Sequence, residues 1–304
     1  MSPLRGIALK LTAVILFTVM ASLIKASSPH VPPGEAVFFR SFFAMPVIVV
    51  WLAMRGDLKT GFKVKRPLGH VFRGLIGVSA MGCGFAALGM LPLPEVTAIG
   101  YAAPLLTVLL AAVLLGERLR LFRLSAVLLG LVGVTVVLWP RLSLEGLGDA
   151  ATLGVILVLV SAVLRALAQI QIRQLVATEE TSAIVFYFSL TATLFSLVTV
   201  PFGWRLPGPE VVAMLIGAGV IGGVAQIFLT SAYRYAGASV VAPFDYASIL
   251  FAILFGYVFF DEVPTRMVLI GSALVMVAGG IIIWRERQLG LKRGKARPTL
   301  TPQG

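Results

Sequence analysis

The sequence contains little charge and is dominated by apolar residues. Of its 304 residues, 12% are Asp, Glu, Lys or Arg, whereas 59% are hydrophobic. This composition excludes a soluble globular protein, because too few polar side chains are available to cover its surface. Apolar runs of about 20 residues, the length that crosses the hydrocarbon core of a bilayer, recur along the chain. The sequence therefore predicts an all-α polytopic protein embedded in a lipid bilayer.

Cysteine and histidine are too scarce for several kinds of site. The single cysteine, Cys83, excludes an intrachain disulfide. The two histidines, His30 and His70, fall on opposite faces of the predicted bundle, which excludes an HExxH zinc site and a Ser–His–Asp triad. The GxxxxGK[ST] pattern of ATP-binding loops is absent as well. We therefore predict no catalytic residues, no metal site, no cofactor and no ATP-driven pumping.

Ten candidate spans are separated by glycine, proline and charged residues. They are 7–26, 33–54, 70–90, 95–115, 121–139, 151–172, 182–202, 210–232, 238–260 and 266–284. With ten spans, most Lys and Arg residues fall on one face, and Lys10 and Arg73 are counted among these topological charges. Such a bias marks the cytoplasmic side, so both termini are predicted to be cytoplasmic. We attribute the net charge of +12 to topology and predict no nucleic-acid partner.

The chain contains an internal repeat. The stretch Leu93–Glu117 aligns with Ala238–Glu262, which places Tyr101 on Tyr246. Because each half holds five spans, an odd number, the second half must be inverted relative to the first, as in many secondary transporters. The predicted organisation is two inverted five-helix repeats, 1–142 and 143–286, followed by a basic, disordered cytoplasmic tail, 287–304.

The ninth span carries a proline and an acid within its apolar run. Pro243 has no N–H, so the carbonyl of Ser239 loses its helical partner. Freed backbone groups at membrane depth persist only where protein or a wet cavity satisfies them. Asp245 is costly in a membrane and is expected to face the protein interior or such a cavity. The pattern favours a solute site near this interruption.

Taken together, these features resemble the EamA-type carriers of the drug/metabolite transporter superfamily. The resemblance rests on two inverted five-span halves, on the closing sequences LLGER (114–118) and FFDEV (259–263), and on the arginine-bearing second span EAVFFRSF (Glu35–Phe42). It implies a ten-span transporter of the bacterial inner membrane rather than an enzyme. The stretch 242–265 resembles a branch that includes carriers of S-adenosylmethionine, riboflavin and similar metabolites.

Depth along the spans groups several polar residues into one candidate pocket. Arg165 and Asp245 both lie about 10 Å from the same face, and Gln169 is one helical turn from Arg165. The functional interpretation is a pocket for a zwitterionic or amphiphilic solute, and the structural alternative is an Arg165–Asp245 pair that only neutralises two buried charges. The predicted substrate-binding residues are Tyr101, Arg165, Gln169, Gln226, Asp245 and Tyr246.

A second group of polar residues lies near the opposite face. Lys25 and Glu35 are predicted to extend to water from helix ends. Arg40 lies deeper and is a gate or coupling candidate together with Glu95, with a structural anchor as the alternative. Glu262, at the end of its span, is assigned a structural role.

The predicted function is secondary-active transport of a small organic metabolite by alternating access. The solute classes are an amino acid, S-adenosylmethionine, riboflavin or a similar amphiphilic compound, with H⁺ or Na⁺ as a candidate coupling ion. The chain is expected to work as a monomer or weak homodimer. A channel-like permease and an integral-membrane enzyme that relies on carboxylates are the alternatives; the two halves do not repeat their charged positions, which argues against a pore lined by repeated rings.

Overall fold

The computed structural model describes residues 3–58, 61–115, 121–141, 150–175, 178–235 and 242–295. Within these ranges the chain is helical, with short connectors and no β-strand. The α-helices are α1 (Pro3–Ser27), α2 (Pro33–Met54), α3 (Pro67–Leu88), α4 (Leu93–Gly100), α5 (Ala102–Leu115), α6 (Leu121–Leu138), α7 (Ala150–Leu175), α8 (Thr181–Ser196), α9 (Pro209–Tyr235), α10 (Ala247–Phe260) and α11 (Arg266–Lys295). Among the same described residues there are three 3₁₀ helices, at Trp139–Arg141, Leu197–Phe202 and Ala242–Tyr246.

Proline marks the start of several helices. Pro33, Pro67 and Pro209 are the first residues of α2, α3 and α9, and Pro94 is the second residue of α4. Proline is favoured there because its fixed φ suits a helix and its missing N–H has no intrahelical acceptor at the first turn. These prolines therefore set where the chain re-enters the bundle after each connector.

Each of the ten predicted spans overlaps a described helix. By length and composition, seven helical segments of the described chain are long and apolar enough to cross a bilayer, and three more apolar segments, 124–138, 244–260 and 266–281, are shorter. Large apolar side chains such as Val113, Leu121 and Phe202 are exposed on the surface, as expected where helices face lipid. The fold is that of an all-helical polytopic membrane protein; the count of ten crossings and the inversion stay predictions.

Two of the predicted spans are interrupted. The fourth is divided by Tyr101 into α4 and α5, and Pro104 follows in the first turn of α5, where it cannot donate to a carbonyl of the preceding turn. In the ninth, the 3₁₀ helix Ala242–Tyr246 precedes α10, and residues 236–241 lie outside the described ranges. The two interruptions occur at the aligned positions Tyr101 and Tyr246, which the sequence repeat pairs.

The basic tail begins later than the sequence suggests. α11 continues through Lys295, so residues 287–295 are helical, and 296–304 lie outside the described ranges. The run of Arg, Gln, Leu and Lys after Trp284 consists mainly of good helix formers, which accounts for the continuation.

Glycine allows the closest helix approaches. On α9, a side chain at Gly219 would overlap Phe43 and the backbone of Phe39, and one at Gly223 would press on Ala44, all three on α2. Gly219 and Gly223 lie four residues apart, the GxxxG spacing that lets helix backbones approach. They form the surface on which α9 packs against α2.

Candidate functional site

The two interrupted spans meet through their tyrosines. The rings of Tyr101 and Tyr246 stack with centroids 4.9 Å apart and planes inclined by 26°. The Tyr101 hydroxyl donates to the backbone carbonyl of Asp245 and lies 2.6 Å from Ser248 Oγ. A side chain at Gly279 on α11 would occupy the position of the Tyr246 hydroxyl, so Tyr246 is seated directly against that helix. The aligned residues of the repeat thus form one aromatic platform.

Asp245 forms its ion pair with Lys10 of α1, at 2.7 Å. The side chain of Lys10 is 1% exposed, whereas that of Asp245 is 43% exposed. The expected pairing of Asp245 with Arg165 is not formed. That expectation rested on the equal depth of the two residues in the membrane, whereas the rotation of the helices about their axes brings Lys10 to Asp245. A buried ammonium therefore holds a carboxylate that keeps substantial accessible surface.

Arg165 lies beside the same junction. Its guanidinium contacts Gly100, where an added Cβ would lie 3.0 Å from a terminal nitrogen, and its Nε–H donates to the Ser161 carbonyl at 3.4 Å. Tyr101 is close enough to Arg165 and Asp245 to interact electrostatically with both charges. Arg165 and Asp245 both keep accessible surface. Two charged side chains are therefore accessible beside the Tyr101–Tyr246 stack.

The predicted glutamines are not part of this contact network. Gln169 is exposed on α7, one turn after Arg165, and Gln226 is half-buried on α9. Neither makes a hydrogen bond to Tyr101 or Asp245 in the described part of the chain. Their assignment to substrate stays a prediction.

The two gate candidates, Arg40 and Glu95, do not form an ion pair with each other. Glu95 is buried in the first turn of α4, and Glu35, at the start of α2, accepts a hydrogen bond from the Arg205 backbone N–H at 3.2 Å. Arg40 is 6% exposed and takes part in none of the ion pairs found among the described residues. Its expected pairing with Glu95 or Glu35 is not formed.

Arg40 converges instead with Arg73 on one aromatic ring. The Cζ atoms of Arg40 and Arg73 lie 5.8 and 4.4 Å from the ring centroid of Phe188 on α8. Arg40 Nε and the Nε and Nη1 of Arg73 are buried without a hydrogen-bond partner. A cation–π contact contributes about 0.5–2 kcal/mol, less than the several kcal/mol that desolvating an ion costs. Phe188 alone therefore leaves much of this cost uncompensated.

Lys25 lies on the face of the bundle where α1 ends, hereafter the far face, and connects α1 to neighbouring segments. Its Nζ lies 2.8 Å from Glu262 Oε1 and donates to the carbonyls of Leu88 and Leu91 at 3.1 and 2.7 Å. The other carboxylate oxygen of Glu262 accepts from the Leu93 N–H at 2.8 Å. The prediction that Lys25 extends to water is wrong, because these three acceptors lie within reach of its ammonium. The pair Lys25–Glu262 is hereafter the far-face latch.

The end of α10 aims Glu262 into this latch. Asp261 adopts a left-handed backbone conformation with φ of 53°, and the Glu262 N–H donates to the Gly256 carbonyl at 2.9 Å. The bond spans six residues, one more than the bond from C″ to C3 in a Schellman motif, and it caps the last turn of α10 after the left-handed residue. A side chain at Gly256 would press on Pro94 and on Glu262 Oε2, so glycine lets α4 and α10 approach here.

On the face where α1 begins, hereafter the N-terminal face, Glu179 joins two connectors. Its carboxylate accepts from the Lys65 and Arg66 backbone N–H groups at 2.9 and 2.6 Å, and its Oε2 lies 3.5 Å from His70 Nε2. Burial alone raises the pKa of Glu179, but the Arg66 and Lys65 hydrogen bonds and His70 together hold that pKa below its ordinary value. We call this cluster the Glu179 clamp.

A cavity of about 450 Å³ opens beside the clamp. It lies between the start of α3 and the end of α7, with Gln171 and Gln174 among its lining residues. The carbonyl oxygen of the Gln171 side chain is buried without a hydrogen-bond partner. The cavity therefore offers polar groups on the N-terminal face.

Sequence reasoning missed two functional candidates, Lys10 and Arg73. It counted both only among the positive charges that set the orientation of the chain in the membrane. Both lie within the bounds of predicted spans, 7–26 and 70–90. A charge inside an apolar span is by default a functional candidate, and that signal could have identified both residues.

The model of the EamA-like transporter family matches residues 4–139 and 152–284. The chain belongs to the EamA-like transporter family. It is a transporter rather than an enzyme, which confirms the expectation from sequence and removes the enzyme alternative.

Characterised relatives extend over nearly the whole chain. The pseudopaline exporter CntI of Pseudomonas aeruginosa is 33% identical over 280 residues, covering 90% of this chain and 94% of the exporter. The S-adenosylmethionine uptake transporter of Rickettsia prowazekii is 25% identical over 285 residues, covering 94% of each protein. A solved crystal structure, 23% identical, shares the fold with a TM-score of 0.67 over 93% of this chain and 98% of the other.

Proposed function

We propose that this transporter is a secondary carrier that moves a small organic metabolite by alternating access. One observation carries the proposal: the accessible carboxylate of Asp245, held by buried Lys10, lies beside the Tyr101–Tyr246 stack where two spans are interrupted. Interrupted helices with charged residues at membrane depth are typical of solute sites in secondary transporters.

The site suits a zwitterionic or amphiphilic solute. A cationic group of the solute competes with Lys10 for Asp245, and an anionic group is attracted by Lys10 and Arg165. An aromatic or apolar part packs against the tyrosine platform. The names of the relatives, a pseudopaline exporter and an S-adenosylmethionine transporter, support a small metabolite as the class of solute.

Two polar clusters supply gates for alternating access. The far-face latch links the end of α1 to the end of α10, and the Glu179 clamp links the α2–α3 connector to the α7–α8 connector. Each cluster therefore joins a residue of the first family match to one of the second. We propose that the two clusters break in turn, so that the central site opens to one face at a time.

The proposal includes ten crossings in two inverted halves, with both termini in the cytoplasm of a bacterial cell and the protein in its inner membrane. Cysteines introduced at Ser2 and at Ser143, two positions outside the described residues, test the topology in a variant without Cys83. They should react with a membrane-impermeant maleimide from opposite sides of an intact cell. Reaction of both from the outside would contradict the ten-span arrangement.

Flux in proteoliposomes tests the transport activity. Purified protein, first screened by thermal shift against metabolites, is reconstituted without ATP and given labelled S-adenosylmethionine or an amino acid. A ligand at 100 times its dissociation constant adds about 2.7 kcal/mol to stability, a readily measured shift. We expect flux that saturates with solute concentration. Flux that stays linear, accompanied by single-channel currents, would instead indicate a channel-like permease.

Proton or sodium coupling is part of the proposal. Asp245 is the candidate carrier of a coupling proton, because its carboxylate is accessible and forms an ion pair with the Lys10 ammonium. Imposed gradients of H⁺ and of Na⁺ should be tested separately. Flux that ignores both gradients would remove coupling and leave a uniporter.

A further inference from the structure

Arg40 and Arg73 form a pair of positive charges inside the bundle. Arg40 lies about 10 Å along α2 from the far face, and Arg73 lies about 9 Å along α3 from the N-terminal face, so their long side chains meet near mid-depth. Both guanidiniums lie within 6 Å of the Phe188 ring centroid. They are close enough for their charges to repel each other.

Neither arginine is neutralised by an acid of the described chain. The four ion pairs among the described residues involve other cations, and three buried guanidinium nitrogens of the pair have no hydrogen-bond partner. Phe188 attracts both cations but accepts no full N–H hydrogen bond from either. Two like charges with unused donors in an apolar interior present strong attraction for an anion.

The helix packing preserves this arrangement. A side chain at Gly77 would collide with the Arg73 guanidinium and with Phe188, and one at Gly222 would press on Met20 and approach Arg40 Nε. Arg73 and Phe188 are half-buried rather than sealed. Arg40 and Arg73 belong to the first family match and Phe188 to the second, so the pair lies between the two halves.

We infer that Arg40 and Arg73 bind one oxyanion group, a carboxylate or a phosphate, of the transported solute. Guanidinium groups present planar pairs of N–H donors that match both kinds of oxyanion. The inference deepens the proposed function, on which it rests, since it requires that the solute carry an anionic group in addition to whatever contacts Asp245. The oxyanion offsets positive charge of the arginine pair and accepts hydrogen bonds from its unused N–H donors.

Binding of small anions to purified protein in detergent tests this inference. The unfolding temperature is measured against rising succinate, inorganic phosphate and chloride at matched ionic strength. We expect succinate, phosphate or both to raise it saturably above the chloride series. A response to succinate alone assigns a carboxylate, and a response to phosphate alone assigns a phosphate group. If neither anion exceeds chloride, the inference is overturned.

Matched variants connect any response to these side chains. Arg40→Gln and Arg73→Gln should each weaken binding about tenfold or more, the effect of losing charge-assisted hydrogen bonds. Arg55→Gln is the control, because Arg55 also lies over an aromatic ring, that of Trp51, but at the exposed end of α2. Its binding should equal that of the unmodified protein. Equal binding in all three variants would overturn the inference.

The conservative variant Arg73→Lys keeps the test valid if the Gln variants fail to fold. It keeps the positive charge but removes the planar donor fork, so we expect a folded protein that binds the anion about tenfold more weakly. Unchanged affinity would overturn the role of the arginine fork. Because the readout is equilibrium binding, it is independent of flux in liposomes; a protein that binds the anion but shows no flux counts against the proposed function alone.

Discussion

Tyr101 and Tyr246 stack on each other at 4.9 Å although they belong to different halves of the chain. Each stands at the interruption of its own span, and the Tyr101 hydroxyl reaches the backbone of the opposite interruption at Asp245. The contact joins the two interruptions of the helical scaffold to each other. In the proposed mechanism, a solute that separates the rings disturbs both interruptions, and this links binding to the movement of the two halves.

Asp245→Asn should abolish transport and leave the protein inserted in the membrane. The change removes the accessible carboxylate and takes the counter-ion from buried Lys10. The loss of stability should be smaller than the about 3–5 kcal/mol typical of a fully buried pair, because Asp245 is 43% exposed. Flux per folded protein and the thermal midpoint are the two measurements.

Asp57→Asn is the matched control for Asp245→Asn. Asp57 has the same 43% side-chain exposure and also contacts a cation, Arg55, but it lies in a connector. Its transport should stay unchanged. The double variant Lys10→Gln with Asp245→Asn should recover stability but not flux. Recovery of flux would show that the pair is only structural.

Tyr101→Phe should weaken solute binding more than it lowers stability. It keeps the stacked ring and removes the hydroxyl that bonds to the Asp245 carbonyl and Ser248. The stability cost should be about 0.5–1.5 kcal/mol. The half-saturation constant for flux should rise, whereas Tyr257→Phe, which alters an exposed tyrosine on α10, should leave it unchanged. Equal constants in both variants would contradict a role for this hydroxyl.

Glu262→Gln should loosen the far-face latch. Its amide oxygen can still accept from the Leu93 N–H, but the attraction to the Lys25 ammonium is lost. Pulsed-EPR distances between spin labels at Pro29 and Val263 should then extend to longer values. Glu210→Gln, an exposed acid at the start of α9, is the control and should leave the distances unchanged. A distance distribution in Glu262→Gln identical to that of the unmodified protein would remove Lys25–Glu262 as a gate.

The Glu179 clamp should weaken in acid. Because the pKa of Glu179 is lower in the folded protein than its ordinary value, its stabilising effect is present above that ordinary pKa and is lost as the pH falls through the folded-state pKa. At neutral pH, Glu179→Gln should therefore have a lower thermal midpoint than the unmodified protein. The difference between the two thermal midpoints should shrink as the pH falls below the ordinary pKa of a glutamate carboxyl group. Glu180→Gln, which changes the exposed neighbour, should show no such pH-dependent difference.

Sequence reasoning predicts the depth of the candidate site along the helices but not the rotation of each helix about its axis. The alignment of Tyr101 with Tyr246 and the oddity of Asp245 could be read directly, because proline and charge are conspicuous in apolar runs. The partner of Asp245 could not, since counting residues gives depth and leaves helix rotation undetermined. Arg165 matched the depth, whereas Lys10 has the rotation and the reach to form the pair.

A similar limit explains the two arginines. Arg40 was recognised as a buried charge, and acids at comparable depth were the natural partners to expect. Its convergence with Arg73 depends on long side chains that start near opposite faces and meet at Phe188, a relationship that no sequence spacing encodes. Helix boundaries set by proline were easier, because proline acts through its own backbone.

Counterflow tests alternating access at this site most directly. Proteoliposomes are loaded with the unlabelled solute that gives the largest thermal shift and are then given a trace of the labelled solute outside. In a carrier that exposes one site alternately, the binding site returns from the inside to the outside faster when unlabelled solute occupies it. Labelled solute should therefore accumulate transiently inside the liposomes above its outside concentration. Asp57→Asn should behave like the unmodified protein, and Asp245→Asn should show no accumulation. Simple equilibration of the label in the unmodified protein, with no overshoot, would contradict the account.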